Sequence, residues 1–190
     1  MVNKHRLGEP PPQRIAIVRS LRGLGDLLCA VPAWRSLRAA LPSAQITLIG
    51  LPSTRPIVDR FAAYVNNFLE FPGYPGIPEV TPQLAKLPAF FASVQQQRFD
   101  LALQMHGSGI VSNPFTVLLG ARVNAGFYLP GEYCPDADRF LPYPADEPEI
   151  WRHLRLMEFL GIPIKGTSLE FPWREEDFCA LHTIDEVRDS

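Results

Sequence analysis

Two glycines and a carboxylate, Gly23-Leu24-Gly25-Asp26, stand just beyond a short apolar run and just before an amphipathic one. Residues of these types at this spacing suit two kinds of chemistry. A glycine-rich turn can bring backbone N–H groups up to a phosphate, and a carboxylate at the same turn can take a proton from an attacking hydroxyl. The dinucleotide form of the first option needs a third glycine and an acidic residue near the end of the next strand. Here the third position is Leu28, and the next strand runs out in Ile49-Gly50-Leu51-Pro52. The phosphate-loop pattern GxxxxGK[ST] is absent. Local chemistry leaves Asp26 two roles. It is either a cap or first-turn acid of the following helix, or a base displayed at the carboxyl edge of a strand, where open α/β sheets bind ligands.

A second candidate cluster is His106-Gly107-Ser108, in "QMHGSG", at the predicted end of another strand on the same sheet edge. The histidine suits contact with a ligand or hydrogen bonding in a transition state, or is simply a polar loop residue. Gly107 and Gly109 would let backbone approach a ligand. Ser108 and Ser112 have hydroxyls that could donate to a ligand. A Ser/His/Asp set can be composed from Ser108, His106 and Asp26, but no GxSxG elbow accompanies it. Arg122 reads as dipole compensation at a helix end, and the aromatic loop residues Phe71, Tyr74, Phe127, Tyr128 and Tyr133 as either loop anchors or the wall of a sugar or lipid site.

The elements that must position these residues follow from hydrophobic patterning. Runs 14–19, 44–51, 65–71, 99–105 and 122–127 read as five strands, short and apolar as buried parallel strands are. Helices are expected over 26–41, 53–64, 82–97 and 112–121, with Pro32 kinking the first or sitting near its start. A late amphipathic helix in "EPEIWRHLRLMEFLGI" carries Ile150, Leu154, Met157 and Leu160 on one side. Alternation at this spacing predicts an α/β, Rossmann-like, doubly wound and mainly parallel sheet. Residues 1–13 are expected as a disordered tail, 14–172 as the domain, and 173–190 as the start of a linker or a C-terminal tail. Segment 128–148 reads as irregular.

Composition narrows the function classes. With 190 residues there is one domain with a real core. A formal net charge of −2 leaves no electrostatic footprint for nucleic acid. The 3 cysteines, Cys29, Cys134 and Cys179, are scattered without metal-ligand spacing, which suits a reducing compartment. No secretory h-region opens the chain and no apolar run approaches the ~18 residues of a spanning helix. The expectation is a cytoplasmic protein without a cofactor or metal, with peripheral contact at the inner face of the membrane left open.

Three segments in order carry a resemblance. "RIAIVRSLRGLGDLLCAVPAWRSLRAALPSAQITLIGLP", "FDLALQMHGSG" with "LLGARVNAGF", and "EIWRHLRLMEFLGIP" are together similar to family 9 glycosyltransferases, the lipopolysaccharide heptosyltransferase family, over about residues 14–175. The resemblance implies the acceptor domain of a GT-B fold, in which two Rossmann-like domains face a cleft. It implies Asp26 as catalytic base, with Arg19, Arg22, Gly25, His106, Gly107 and Ser108 about the acceptor, a glycan or glycolipid. Arg19 lies seven residues before Asp26, one more than the family spacing, so either the loop is longer by a residue or Arg22 replaces the usual basic group. The chain reaches Ser190 where the resemblance implies a linker into a donor domain. The expectation is therefore an acceptor half from a truncated gene, or one served by a separate donor-domain chain. A nucleotide-sugar donor is expected only when that domain is supplied. The other readings are a non-catalytic or vestigial binding module and a nucleotide-dependent enzyme using the glycine loop.

Overall fold

The computed structural model describes residues 4–175, 177 and 178. Cys179 and most of the expected tail lie outside the described residues. Six strands form one parallel sheet: β1 (Arg14–Val18), β2 (Gln45–Gly50), β3 (Asn67–Glu70), β4 (Leu101–Gln104), β5 (Val123–Tyr128) and β6 (Phe140–Pro142). Their order is β3-β2-β1-β4-β5-β6. This is the doubly wound Rossmann order, predicted from the alternation of apolar runs.

β1 lies at the centre, paired with β2 and β4, and both its faces are covered. Ile15 and Ile17 point into one core with Trp34, Leu37, Leu48, Phe61 and Met157. Ala16 and Val18 point into the other with Phe71, Val94, Phe115 and Leu119. Double burial is why the strand reads as a continuous apolar run rather than an alternating one. Helices α1 (Leu24–Leu28), α2 (Val31–Ala40), α3 (Arg55–Val58) and α6 (Glu149–Phe159) cover the first face; α4 (Leu87–Gln96) and α5 (Ser112–Leu118) cover the second.

Three local expectations are corrected. The helix expected over 26–41 is two helices, broken at Cys29 and Ala30, and Pro32 sits in the first turn of α2 where its missing N–H costs nothing. The helix expected over 53–64 is α3 flanked by 3₁₀ turns at Pro52–Thr54 and Asp59–Phe61. The segment read as irregular contributes β6, only 3 residues ending in proline and so too short to leave a pattern. Residues 4–13 lie against the domain. Arg6 donates to the Phe159 carbonyl at 2.6 Å and Arg122 to the Pro10 carbonyl at 2.7 Å.

Candidate functional site

Strand order reverses between β1 and β4, and open α/β sheets bind ligands in the crevice beyond the carboxyl ends of such a pair. Val18 pairs with Gln104, so the loops that follow begin side by side. One carries Arg19 to Asp26 and the other His106 to Ser112. The two clusters that sequence patterning singled out are therefore brought to one edge.

Asp26 is the third residue of α1, exposed, and its carboxylate makes no capping bond; the helix N-cap is Gly23. It is a first-turn acid in position, which suits the positive helix end, but its oxygens stay available. Neither Gly23 nor Gly25 has a positive φ, so the turn does not need them for backbone reasons. At Gly23 a Cβ would stand 2.6 Å from Asp26 Oδ2, so a side chain there would push the carboxylate aside. Around Gly25 nothing lies within 4 Å of the equivalent position.

Arg19 is turned inward, 2% exposed. Its Nε donates to the Asp26 carbonyl at 3.0 Å, its Nη1 to the Met105 carbonyl at 2.7 Å, and both terminal nitrogens lie 3.2 Å from Glu149 Oε1. Nη2 also donates to the Asp26 carbonyl. A guanidinium has five N–H donors, and these bonds point the Arg19 group into the protein interior. Arg22 is the exposed basic group of the loop, and its fork grips the Glu79 carbonyl, with Nε at 2.7 Å.

His106 is buried. Its Nδ1 lies 3.3 Å from Ser20 Oγ and 3.4 Å from the Ser20 amide, and its Nε2 lies 3.7 Å from Glu79 Oε2. A backbone N–H only donates, so Nδ1 accepts and the ring proton rides on Nε2, facing Glu79. Burial pushes its pKa down, with the Glu79 charge opposing, and keeps the ring neutral near pH 7. Segment 72–82 therefore reaches over both Arg22 and His106 through Glu79. Gly107 and Ser108 line a pocket of about 170 Å³ with His106 and Gly76–Pro78.

Sequence reading missed the polar groups that hold this edge in shape. Gln104, wholly buried at the end of β4, donates from Nε2 to the His106 carbonyl at 2.5 Å and accepts the Phe127 amide at 3.1 Å. A glutamine inside the apolar run "FDLALQM" was the available signal. Ser112, weighed as a ligand contact, spends its hydroxyl on the His106 carbonyl at 2.7 Å. Glu149 and His153 left no signal at all, since their partner Arg19 is 130 residues from Glu149.

His153 is fully buried and its Nε2 lies 3.0 Å from Glu149 Oε1. Burial depresses its pKa to about 4. Glu149 is held at about 2, first by the contact with His153 and then by Arg19 and Arg152, against the opposing effect of burial. The unfolded chain takes up a proton on this histidine near pH ~6.5, whereas the folded chain resists until about 4. Stability therefore falls as pH drops through that window. Glu149 adds a further loss below its ordinary carboxylate value. In urea titrations at pH 7 and pH 4.5, His153→Gln should remove about 2 kcal/mol of the acid-induced loss. An unchanged acid slope in that variant would refute the assignment.

The fold and this edge define a class: a doubly wound α/β domain that displays an exposed carboxylate at its switch point. No protein-family model and no curated protein matches the sequence. Solved structures do match. A family 9 glycosyl transferase from Veillonella parvula DSM 2008 superposes with a TM-score of 0.70 at 16% identity, over 93% of this chain and 50% of that one. The E. coli heptosyltransferase WaaC with ADP matches at 0.60 and 18%, over 83% and 50%. The E. coli ADP-heptose lps heptosyltransferase II matches at 0.61 and 17%, over 88% and 49%. At these identities the likeness is one of fold, that of GT-B glycosyltransferases, and the chain spans about half the length of the structures it matches. None of the described helices is long and apolar enough to cross a membrane.

Proposed function

We propose that this chain is the acceptor-side half of a heptosyltransferase-like glycosyltransferase, with Asp26 as the base. The observation that carries this reading is the exposed, uncapped Asp26 carboxylate at the switch point, on a loop whose backbone is tied down by Arg19. In the proposed step the carboxylate takes the proton of an acceptor hydroxyl. The hydroxyl oxygen then bonds to the anomeric carbon of a nucleotide sugar, and the carbon–oxygen bond to the nucleoside diphosphate breaks. The structure of WaaC with ADP-2-deoxy-2-fluoro heptose supports a sugar-nucleotide donor, and the lps heptosyltransferase a glycan or glycolipid acceptor. In this reading His106, Gly107 and Ser108 belong to the acceptor side of the site, and a donor-binding domain, on this polypeptide or another, completes it.

Transfer of labelled sugar is measured with this chain alone, with a donor-binding domain alone, and with both. Transfer only in the mixture is expected. Acceptor binding without transfer under every pairing would favour the binding-module reading instead. In the same assay Gly23→Ala should cost no more than about 1 kcal/mol of stability, the scale of an altered N-cap. It should still lower kcat at least tenfold, because the new methyl displaces the Asp26 carboxylate from 2.6 Å away. Wild-type kcat in that variant would count against Asp26 acting from this position.

A further inference from the structure

The Asp26 carbonyl is unusual within its own helix. α1 ends at Leu28, and the Ala30 amide, which would bond it in a continuous helix, bonds the Leu27 carbonyl instead at 3.0 Å. The break between α1 and α2 thus frees the Asp26 carbonyl, and the buried Arg19 guanidinium takes it with Nε and Nη2. A cation buried this deeply needs a counter-charge close by. Glu149 supplies it from the first turn of α6, with Oε1 3.2 Å from both terminal nitrogens of Arg19. Glu149 is itself held on both oxygens, Oε1 beside His153 Nε2 at 3.0 Å and Oε2 accepting from Arg152. Arg152 and His153 thus flank its carboxylate on both sides.

From this chain of contacts we infer that Glu149 is a positioning residue for Asp26, acting through Arg19. Without the Glu149 charge, Arg19 is left buried and uncompensated, so it turns toward solvent and releases the Asp26 carbonyl. The loop from Gly23 to Leu28 then loses its tie to the sheet, and the Asp26 carboxylate loses its direction. The catalytic meaning of this link rests on Asp26 being the base. The link itself does not.

The test is made on the full chain with Glu149→Gln, which keeps size and removes charge. Arg155→Gln serves as the control on the same helix, because Arg155 pairs with Glu147 at the surface. Backbone ¹⁵N order parameters over residues 23–28 should fall from about 0.85 to below about 0.6 in Glu149→Gln, and stay unchanged in the control. In the complemented transferase kcat should fall at least tenfold with the donor KM unchanged, and Glu149→Asp should restore part of the loss. Unchanged order over 23–28, or loosening spread evenly over the sheet, would overturn the proposal. If Glu149→Gln fails to fold, Arg19→Lys is read by the same criterion. Order parameters are measured without transfer, so failure of the base reading shows separately, as transfer that survives loss of the Asp26 carboxylate.

Discussion

Asp26→Ala is expected to lower kcat of the complemented transferase by about 10²–10⁴-fold, the range general-base catalysis contributes. Its melting temperature should stay close to wild type. The separation of the two effects follows from geometry. Only the carboxylate is lost, and that group caps nothing and is exposed, whereas the backbone carbonyl that Arg19 grips is retained. Asp26→Asn sharpens the reading, because the amide keeps the shape and cannot take the proton. Transfer that survived in either variant would remove Asp26 as the base. Equal loss of activity and stability would make it a structural acid.

Gly109→Ala is expected to unfold the β4–α5 loop, at about 3 kcal/mol or more. Its φ is +93°, and a Cβ would stand 2.3 Å from the Phe127 carbonyl and 2.5 Å from Asn113 Nδ2. The first obstacle is backbone of β5 and cannot swing aside. Asn113, wholly buried, is pinned by its own bond to the Phe127 carbonyl at 3.0 Å. Gly107, two residues earlier, supplies the internal comparison. Its φ is +61°, and nothing lies within 4 Å of its Cβ position. Gly107→Ala should therefore cost only the left-handed backbone penalty of about 1–2 kcal/mol. Urea denaturation of both variants checks this, and equal losses would show that backbone conformation, not crowding, decides both sites.

The strands of this domain were legible because the central ones are covered on both faces. β1, β2 and β4 each read as a short apolar run, and short runs alternating with helical periodicity point to a parallel sheet. The same local signals failed where length was insufficient, at Phe140–Pro142, or where tertiary packing interrupted a helical period, at Cys29 and Ala30. Asp26 and His106 were legible as candidates, being polar groups at predicted strand ends. Their supports were not. Nothing near Glu79 in the sequence marks it as the group facing His106 Nε2, and nothing near Glu149 marks it as the partner of Arg19.

Arg19 and Arg22 show where local reading stops. As sequence they are interchangeable basic groups flanking a glycine turn, and either could approach a phosphate. The fold separates them: Arg19 is buried at the junction of the β1 loop, the end of β4 and α6, and Arg22 stays on the surface under Glu79. Gly23 shows the same limit, since what a side chain there would meet is the Asp26 carboxylate, and its own backbone angles do not call for glycine. Periodicity, caps and breakers act within a few residues, so the order of elements, the parallel sheet and the carboxylate at the switch point were all present in the chain as written. Which polar groups Arg19 meets depends on contacts closed across 86 and 130 residues, and only the packed sheet brings those partners within reach.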